Sequence, residues 1–123
     1  MKMVCGIDMQ KTDRIKKSIQ NENFYRRVFS KEEHALFESK NNNIETISAN
    51  FCVKEAFSKA LGTGIVGFSL NEVYALRDDS GAPYLVLTGK AKELADERNL
   101  TFSVSISHDG GFAIAMVIGY EVN

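Results

Sequence analysis

The stretch Ile44-Glu45-Thr46-Ile47-Ser48-Ala49-Asn50-Phe51-Cys52-Val53-Lys54-Glu55-Ala56-Phe57-Ser58-Lys59-Ala60-Leu61, closed by Gly62, decides the fold. It contains no proline and ends on a glycine suited to a left-handed cap, so it reads as one uninterrupted helix. On a helical projection Ile47, Phe51, Glu55, Ser58 and Lys59 fall within roughly 120° of one another. The opposite side carries Ala49, Val53, Ala56, Phe57 and Ala60. A helix that is apolar nearly all round belongs inside a protein, so the remaining chain must wrap it. Yet it carries Lys54, Glu55 and Lys59. Charges withdrawn from water need a partner, hydrogen bonds or a metal. Two readings of Glu55 and Lys59 stand open: an i,i+4 ion pair, or a metal ligand beside a phosphate contact.

On the amino-terminal side, residues 2–8 read as a short strand ending at Asp8. Residues 12–21 read as a basic helix, and Phe24 to Phe29 as a further turn or two. Ser30 with Glu33 fits a capping box, so a helix runs to about Ser39. Asn41-Asn42-Asn43 is a loop. Past the long helix the period changes. Glu72–Arg77 and Tyr84–Leu87 read as strands around the turn Asp78–Pro83, and Lys90–Arg98 as a short helix. Phe102–His108 alternates apolar residues with serine. Asp109-Gly110-Gly111 turns the chain into Phe112–Tyr120, apolar on both faces and therefore expected to be a central buried strand. The fold class expected is α+β, a mainly antiparallel sheet packed against a long buried helix.

With 123 residues, 44% of them hydrophobic, the chain fits a single domain over 1–123 and is too apolar to be disordered. No apolar run reaches the ~20 residues of a membrane span, and MKMVCGID has no signal-peptide core. Cys5 and Cys52 make neither a disulfide framework nor a zinc site, and a cytoplasmic location is expected. A net charge of -1 argues against a general nucleic-acid binder. That average hides a split. Residues 1–31 hold eight basic against three acidic groups, +5, and the remainder is -6. The basic first part reads either as a solvated face or as a docking surface for an acidic partner.

Asp8 at its strand end is a turn or cap residue, or it joins Glu55 as a metal ligand. Two carboxylates completed by waters and a substrate phosphate suit Mg²⁺, which seldom has an all-protein cage. His108 shares a face with Phe102, Val104 and Ile106, and Ser107-His108-Asp109 is no triad because strand neighbours point to opposite faces. His34, among Glu32, Glu33 and Glu38, reads as exposed. Gly62-Thr63-Gly64-Ile65-Val66-Gly67 matches GxGxxG but follows a helix, the reverse of a dinucleotide-binding context; its amides, at Gly62 and Gly64, could still approach a phosphate.

Taken in order, Gly6-Ile7-Asp8 with Arg14, Ser30 with Glu33, the Lys54-Glu55-Ala56-Phe57-Ser58-Lys59-Ala60 run with Gly62-Thr63-Gly64, Gly81-Ala82-Pro83 and Ser105-Ile106-Ser107-His108 resemble the holo-acyl-carrier-protein synthases. These are the small bacterial 4′-phosphopantetheinyl transferases. The resemblance spans essentially the whole chain. It implies transfer of the phosphopantetheine arm of coenzyme A to a serine of apo-acyl carrier protein, with release of adenosine 3′,5′-bisphosphate, in fatty acid biosynthesis. It further implies Mg²⁺ on Asp8 and Glu55, with Asp8, Glu55 and Lys59 as the catalytic set. Lys59, Gly62, Gly64 and His108 would bind coenzyme A, and Arg14, Lys17, Arg26, Arg27 and Phe51 would dock the carrier. A homotrimer is implied, with sites between subunits, so that Asp8 and Glu55 face a neighbour's His108. The proton of the attacked serine could pass to Glu55, Asp8 or a metal-bound water.

The chain departs from the family pattern at Asn50, where an arginine usually precedes the aromatic residue, so a phosphate or adenine contact is in question. Cys52 and Val53 replace a small alanine pair, which reads as core variation. Two other classes compete: a non-catalytic coenzyme A or nucleotide-binding module, and an interaction domain using its basic helices.

Overall fold

Three antiparallel strands lie across the face of the long helix, which they share with a strand pair. The computed structural model describes residues 2–122. The elements run β1 (Met3–Lys11), α1 (Thr12–Ser18), α2 (Glu22–Val28), α3 (Lys31–Ser39), α4 (Ile44–Leu61), a 3-10 turn (Leu70–Glu72), β2 (Val73–Arg77), β3 (Pro83–Leu87), α5 (Gly89–Glu97), β4 (Leu100–Asp109) and β5 (Phe112–Glu121). One sheet has the order β1-β5-β4 and the other pairs β2 with β3, all antiparallel.

Local chemistry sets the helix ends. Asn21 caps α2 through its side chain on the Phe24 amide. Ser30 and Glu33 form the expected capping box on α3. Asn41 and Asn42 take positive φ, and Asn43 caps α4 on the Thr46 amide. Gly62 ends α4 at φ 77°, where a side chain would be strained.

α4 joins two apolar clusters. Its Val53, Ala56, Phe57 and Ala60 pack on Ala113, Ala115 and Val117 of β5 and on Val73 and Ala75 of β2. Its Ile47 packs with Ile15, Val28, Phe29 and Phe37 of α1–α3. Each fully buried Phe or Val side chain contributes about 1.5–3 kcal/mol relative to exposure. The long buried helix is therefore the element on which both clusters close.

Several expectations are corrected. β1 runs on to Lys11, paired with Phe112, so Asp8 is an interior strand residue and not a strand end. α1 stops at Ser18, and Glu72 belongs to the 3-10 turn. β5 is central but buried on one face only: Phe112 and Met116 are exposed, because no helix covers that side. His34 is half-buried and stacked on Tyr25, with ring centroids 4.5 Å apart.

Candidate functional site

The site begins with a close backbone approach. A Cβ at Gly6 would overlap the Ala56 carbonyl oxygen and lie 2.6 Å from the Ala60 amide nitrogen, so only glycine lets β1 lie this tightly on α4. Side chains alternate along a strand, so Asp8, two residues on, turns to the same side. It meets α4 where Glu55 and Lys59 stand one turn apart. Lys59 Nζ lies 3.2 Å from Asp8 Oδ1 and donates to the Ile7 carbonyl at 2.9 Å. Gln10 Nε2 donates to Asp8 Oδ2 at 3.0 Å.

The i,i+4 pairing of Glu55 with Lys59 is not what forms: the lysine bonds across to β1. Nor is α4 buried at all three charges, for Lys59 is exposed and Glu55 half-buried. Burial, and then the negative charge of Asp8, push the Glu55 carboxyl up; Lys59 opposes this. Beneath them the Cys52 thiol donates to the Ala113 carbonyl at 3.4 Å. Burial first, then Asp8, push it up to about 12, so it stays a protonated, unreactive core group.

The third charge of α4 has a separate role. Lys54 is fully buried and donates to Glu33 Oε1 at 2.6 Å, to the Val73 carbonyl at 2.6 Å and to the Leu70 carbonyl at 3.0 Å. One turn earlier, Asn50 Nδ2 donates to Glu33 Oε2 and to the Ala75 carbonyl, each at 2.9 Å. Its Oδ1 accepts from Arg77 at 2.9 Å. Asn50 is thus committed to the interior, and its side chain is not offered to a ligand.

The other expected residues lie apart. His108 is exposed near the end of β4, opposite Ala113, while Asp8 sits opposite Ala115 on the far side of β5, about 10 Å away laterally. Within one chain the two are not brought together. Gly62 and Gly64 are exposed in the loop after α4 with positive φ. Arg14, Lys17, Arg26 and Arg27 are all exposed on α1 and α2, Arg26 at 3.7 Å from Glu22. Phe51 is half-buried against Phe24, ring centroids 6.1 Å apart, at the seam between these helices and α4. The larger depressions, about 410 and 480 Å³, flank Tyr25 and His34 and lie away from Asp8. Among the described residues no group of three or more His, Cys, Asp or Glu could hold a metal.

Sequence reasoning did not single out Gln10, Phe24 or Arg77, and it did not pair Lys54 with Glu33. Gln10 was detectable, since the two-residue period puts it on the Asp8 face. The Lys54–Glu33 and Asn50–Arg77 contacts join elements distant in sequence, and no local pattern carries them.

The family model described as the 4′-phosphopantetheinyl transferase superfamily matches residues 4–117. The chain is 44% identical over 115 residues to a holo-[acyl-carrier-protein] synthase of Alkaliphilus oremlandii, covering 92% of this chain and 94% of that one. It is 40% identical over 127 residues to a holo-[acyl-carrier-protein] synthase of Thermoanaerobacter sp. (strain X514), covering 100% and 92%. Among solved structures, the holo-[acyl-carrier-protein] synthase of Helicobacter pylori in complex with coenzyme A superposes with a TM-score of 0.82 at 36% identity, over 94% of this chain and 99% of that chain. The carboxylate corner, the α+β frame and these full-length likenesses agree, and the chain belongs to the 4′-phosphopantetheinyl transferase superfamily.

Proposed function

We propose that this protein is a holo-acyl-carrier-protein synthase. It moves the 4′-phosphopantetheine arm of coenzyme A onto a serine of apo-acyl carrier protein, in support of fatty acid biosynthesis, with residues 1–123 acting as one transferase domain. The observation that carries the reading is the corner where Asp8 of β1 and Glu55 of α4 converge beside Lys59. Full-length likeness to named synthases supports the same activity.

Burial first, and then the negative charge of Asp8, raise the Glu55 carboxyl, and a cation held by the two carboxylates would offset both. An all-oxygen donor set of two residues suits Mg²⁺, with waters and substrate phosphate completing its shell, and does not suit zinc. Bound there, Mg²⁺ supplies charge neutralisation on the diphosphate. Asp8 and Glu55 are the residues that would hold it. The serine oxygen attacks the phosphorus next to the pantetheine, and the bond to the second phosphorus's bridging oxygen breaks. Adenosine 3′,5′-bisphosphate leaves with the electron pair, and the serine proton passes to a base. Lys59, with its ammonium exposed at the rim, is placed to swing from Asp8 to the developing negative charge. Gly62 and Gly64 would bring backbone amides to the phosphates.

His108, too far from Asp8 in its own chain, would serve a neighbour's site. The outer face of the β1-β5-β4 sheet supports such an assembly: Met3, Ile7, Met9, Phe112 and Met116 are all exposed there. A homotrimer with sites between subunits is the assembly proposed. The exposed Arg14, Lys17, Arg26 and Arg27, with Phe51 at the seam, would dock the acidic carrier. Among the described residues no helix is long and apolar enough to cross a membrane. A cytoplasmic setting is proposed on the two free cysteines, Cys5 and Cys52. Incubation with coenzyme A, Mg²⁺ and apo-acyl carrier protein tests the reading: the carrier mass should rise by one phosphopantetheine arm. An unchanged mass across several carriers would reject it.

A further inference from the structure

Gln10 stands two residues beyond Asp8 on β1, on the side turned to α4. Its backbone is held by the sheet: the strand is paired to β5 at Gln10 and on both sides of it, through Asp8–Ala115 and Lys11–Phe112. From there Nε2 donates to Asp8 Oδ2 at 3.0 Å. The other oxygen, Oδ1, faces Lys59 Nζ at 3.2 Å. The carboxylate is thus gripped by two unlike donors. One is a flexible, exposed cation that can leave. The other is a neutral, half-buried amide with no charge to carry elsewhere.

We propose that Gln10 is a positioning residue that sets which metal ion this corner accepts. By holding Oδ2 it fixes the plane of the Asp8 carboxylate and leaves Oδ1, the oxygen Lys59 can vacate, as a single donor atom. Mg²⁺ requires near-ideal octahedral geometry and takes such carboxylates one oxygen at a time, whereas Ca²⁺ accepts both oxygens of one carboxylate in a looser, larger shell. A clamp on Oδ2 therefore favours the smaller ion. The amide does this without adding a third negative charge. The inference rests on the reading of Asp8 and Glu55 as metal ligands and deepens it to metal selectivity.

The test is Mn²⁺ binding followed by electron paramagnetic resonance with coenzyme A present, displaced by Mg²⁺ or by Ca²⁺, on the wild type and on Gln10→Met. Methionine keeps the length and removes the donor. Mg²⁺ should compete about tenfold less well on the variant, the lower end expected when a partner of a metal ligand is lost, while Ca²⁺ competition changes less than about twofold. The melting temperature should fall by no more than about 5 °C, the shift that losing one hydrogen bond of about 1 kcal/mol gives in a domain of this size. Gln10→Asn, which keeps the amide but loses the reach, should narrow the Mg²⁺ preference equally. Unchanged competition by both ions, with Mn²⁺ bound normally, would overturn the role of Gln10 alone. Equal weakening of both ions with a melting point lowered beyond about 5 °C would mark a purely structural residue and also overturn it. A wild type that binds no Mn²⁺ would overturn this inference together with the metal reading beneath it.

Discussion

Lys54 and Lys59 lie on the same helix, roughly 140° apart in projection, and each is ion-paired. Lys54 has no exposed side-chain surface, and neither has its partner Glu33. Three acceptors from α3, the 3-10 turn and β2 surround its ammonium. The Lys59 side chain is 54% exposed, against 9% for Asp8. The first pair cannot part without leaving a charge in the core. The second can open at little cost, so Asp8 is available to another cation. The difference teaches that a charge in the core of this helix is not by itself a sign of chemistry. The pair proposed to take part in the reaction is the one that water reaches.

Breaking the inner pair should have the largest effect on folding. Glu33→Ala strands the Lys54 ammonium, and leaving one partner of a buried pair alone costs about 3–5 kcal/mol. Denaturant unfolding measures this, and a loss under about 1 kcal/mol would erase the contrast between the two lysines. Gly6→Ala should follow, destabilising by about 1–3 kcal/mol because the added methyl meets α4 backbone that must move. Since this pushes β1 off α4, transfer should fall more than stability alone explains, a divergence read by assaying the folded variant well below its melting point.

Lys59→Ala sharpens the comparison from the other side. An exposed pair contributes about 0–1 kcal/mol, so unfolding should change by no more than that, while the transfer rate falls at least tenfold. A variant as active as wild type would remove Lys59 from the site. The smallest effect concerns pH. Because the Glu55 carboxyl is raised in the folded protein, the native state keeps a proton that the unfolded chain has released. Without added metal, stability should therefore decline as pH rises from the ordinary glutamate value of 4.5 through the folded value, then level off. Glu55→Gln should remove that slope in thermal melts recorded at stepped pH.

Much of this was legible in the sequence because it is local. The α4 pattern, its Gly62 cap, the Ser30–Glu33 box and the alternation of β4 each lie within a few consecutive residues, and each formed. The convergence of Asp8 with Glu55 stood in the residues only as one of two open readings and was favoured only through resemblance, since the two belong to a strand and a helix brought together at Gly6. Helical periodicity placed Glu55 and Lys59 side by side but could not show that Lys59 would choose β1. It also assigned Asn50 no partner, because Glu33 and Arg77 reach it from 17 and 27 residues away. The exposed face of β5 escaped for a related reason: in sequence, an apolar strand looks the same whether or not its own chain covers both faces.

The central claim is that the outer corner, and not the inner pair, carries the reaction. Its most direct test is the rate at which Glu55→Gln loads apo-acyl carrier protein from coenzyme A and Mg²⁺, followed by carrier mass, on protein whose melting point matches wild type. Losing a metal ligand removes several kcal/mol of charge stabilisation, so the account predicts a fall of at least about a hundredfold. Loading at the wild-type rate would contradict it.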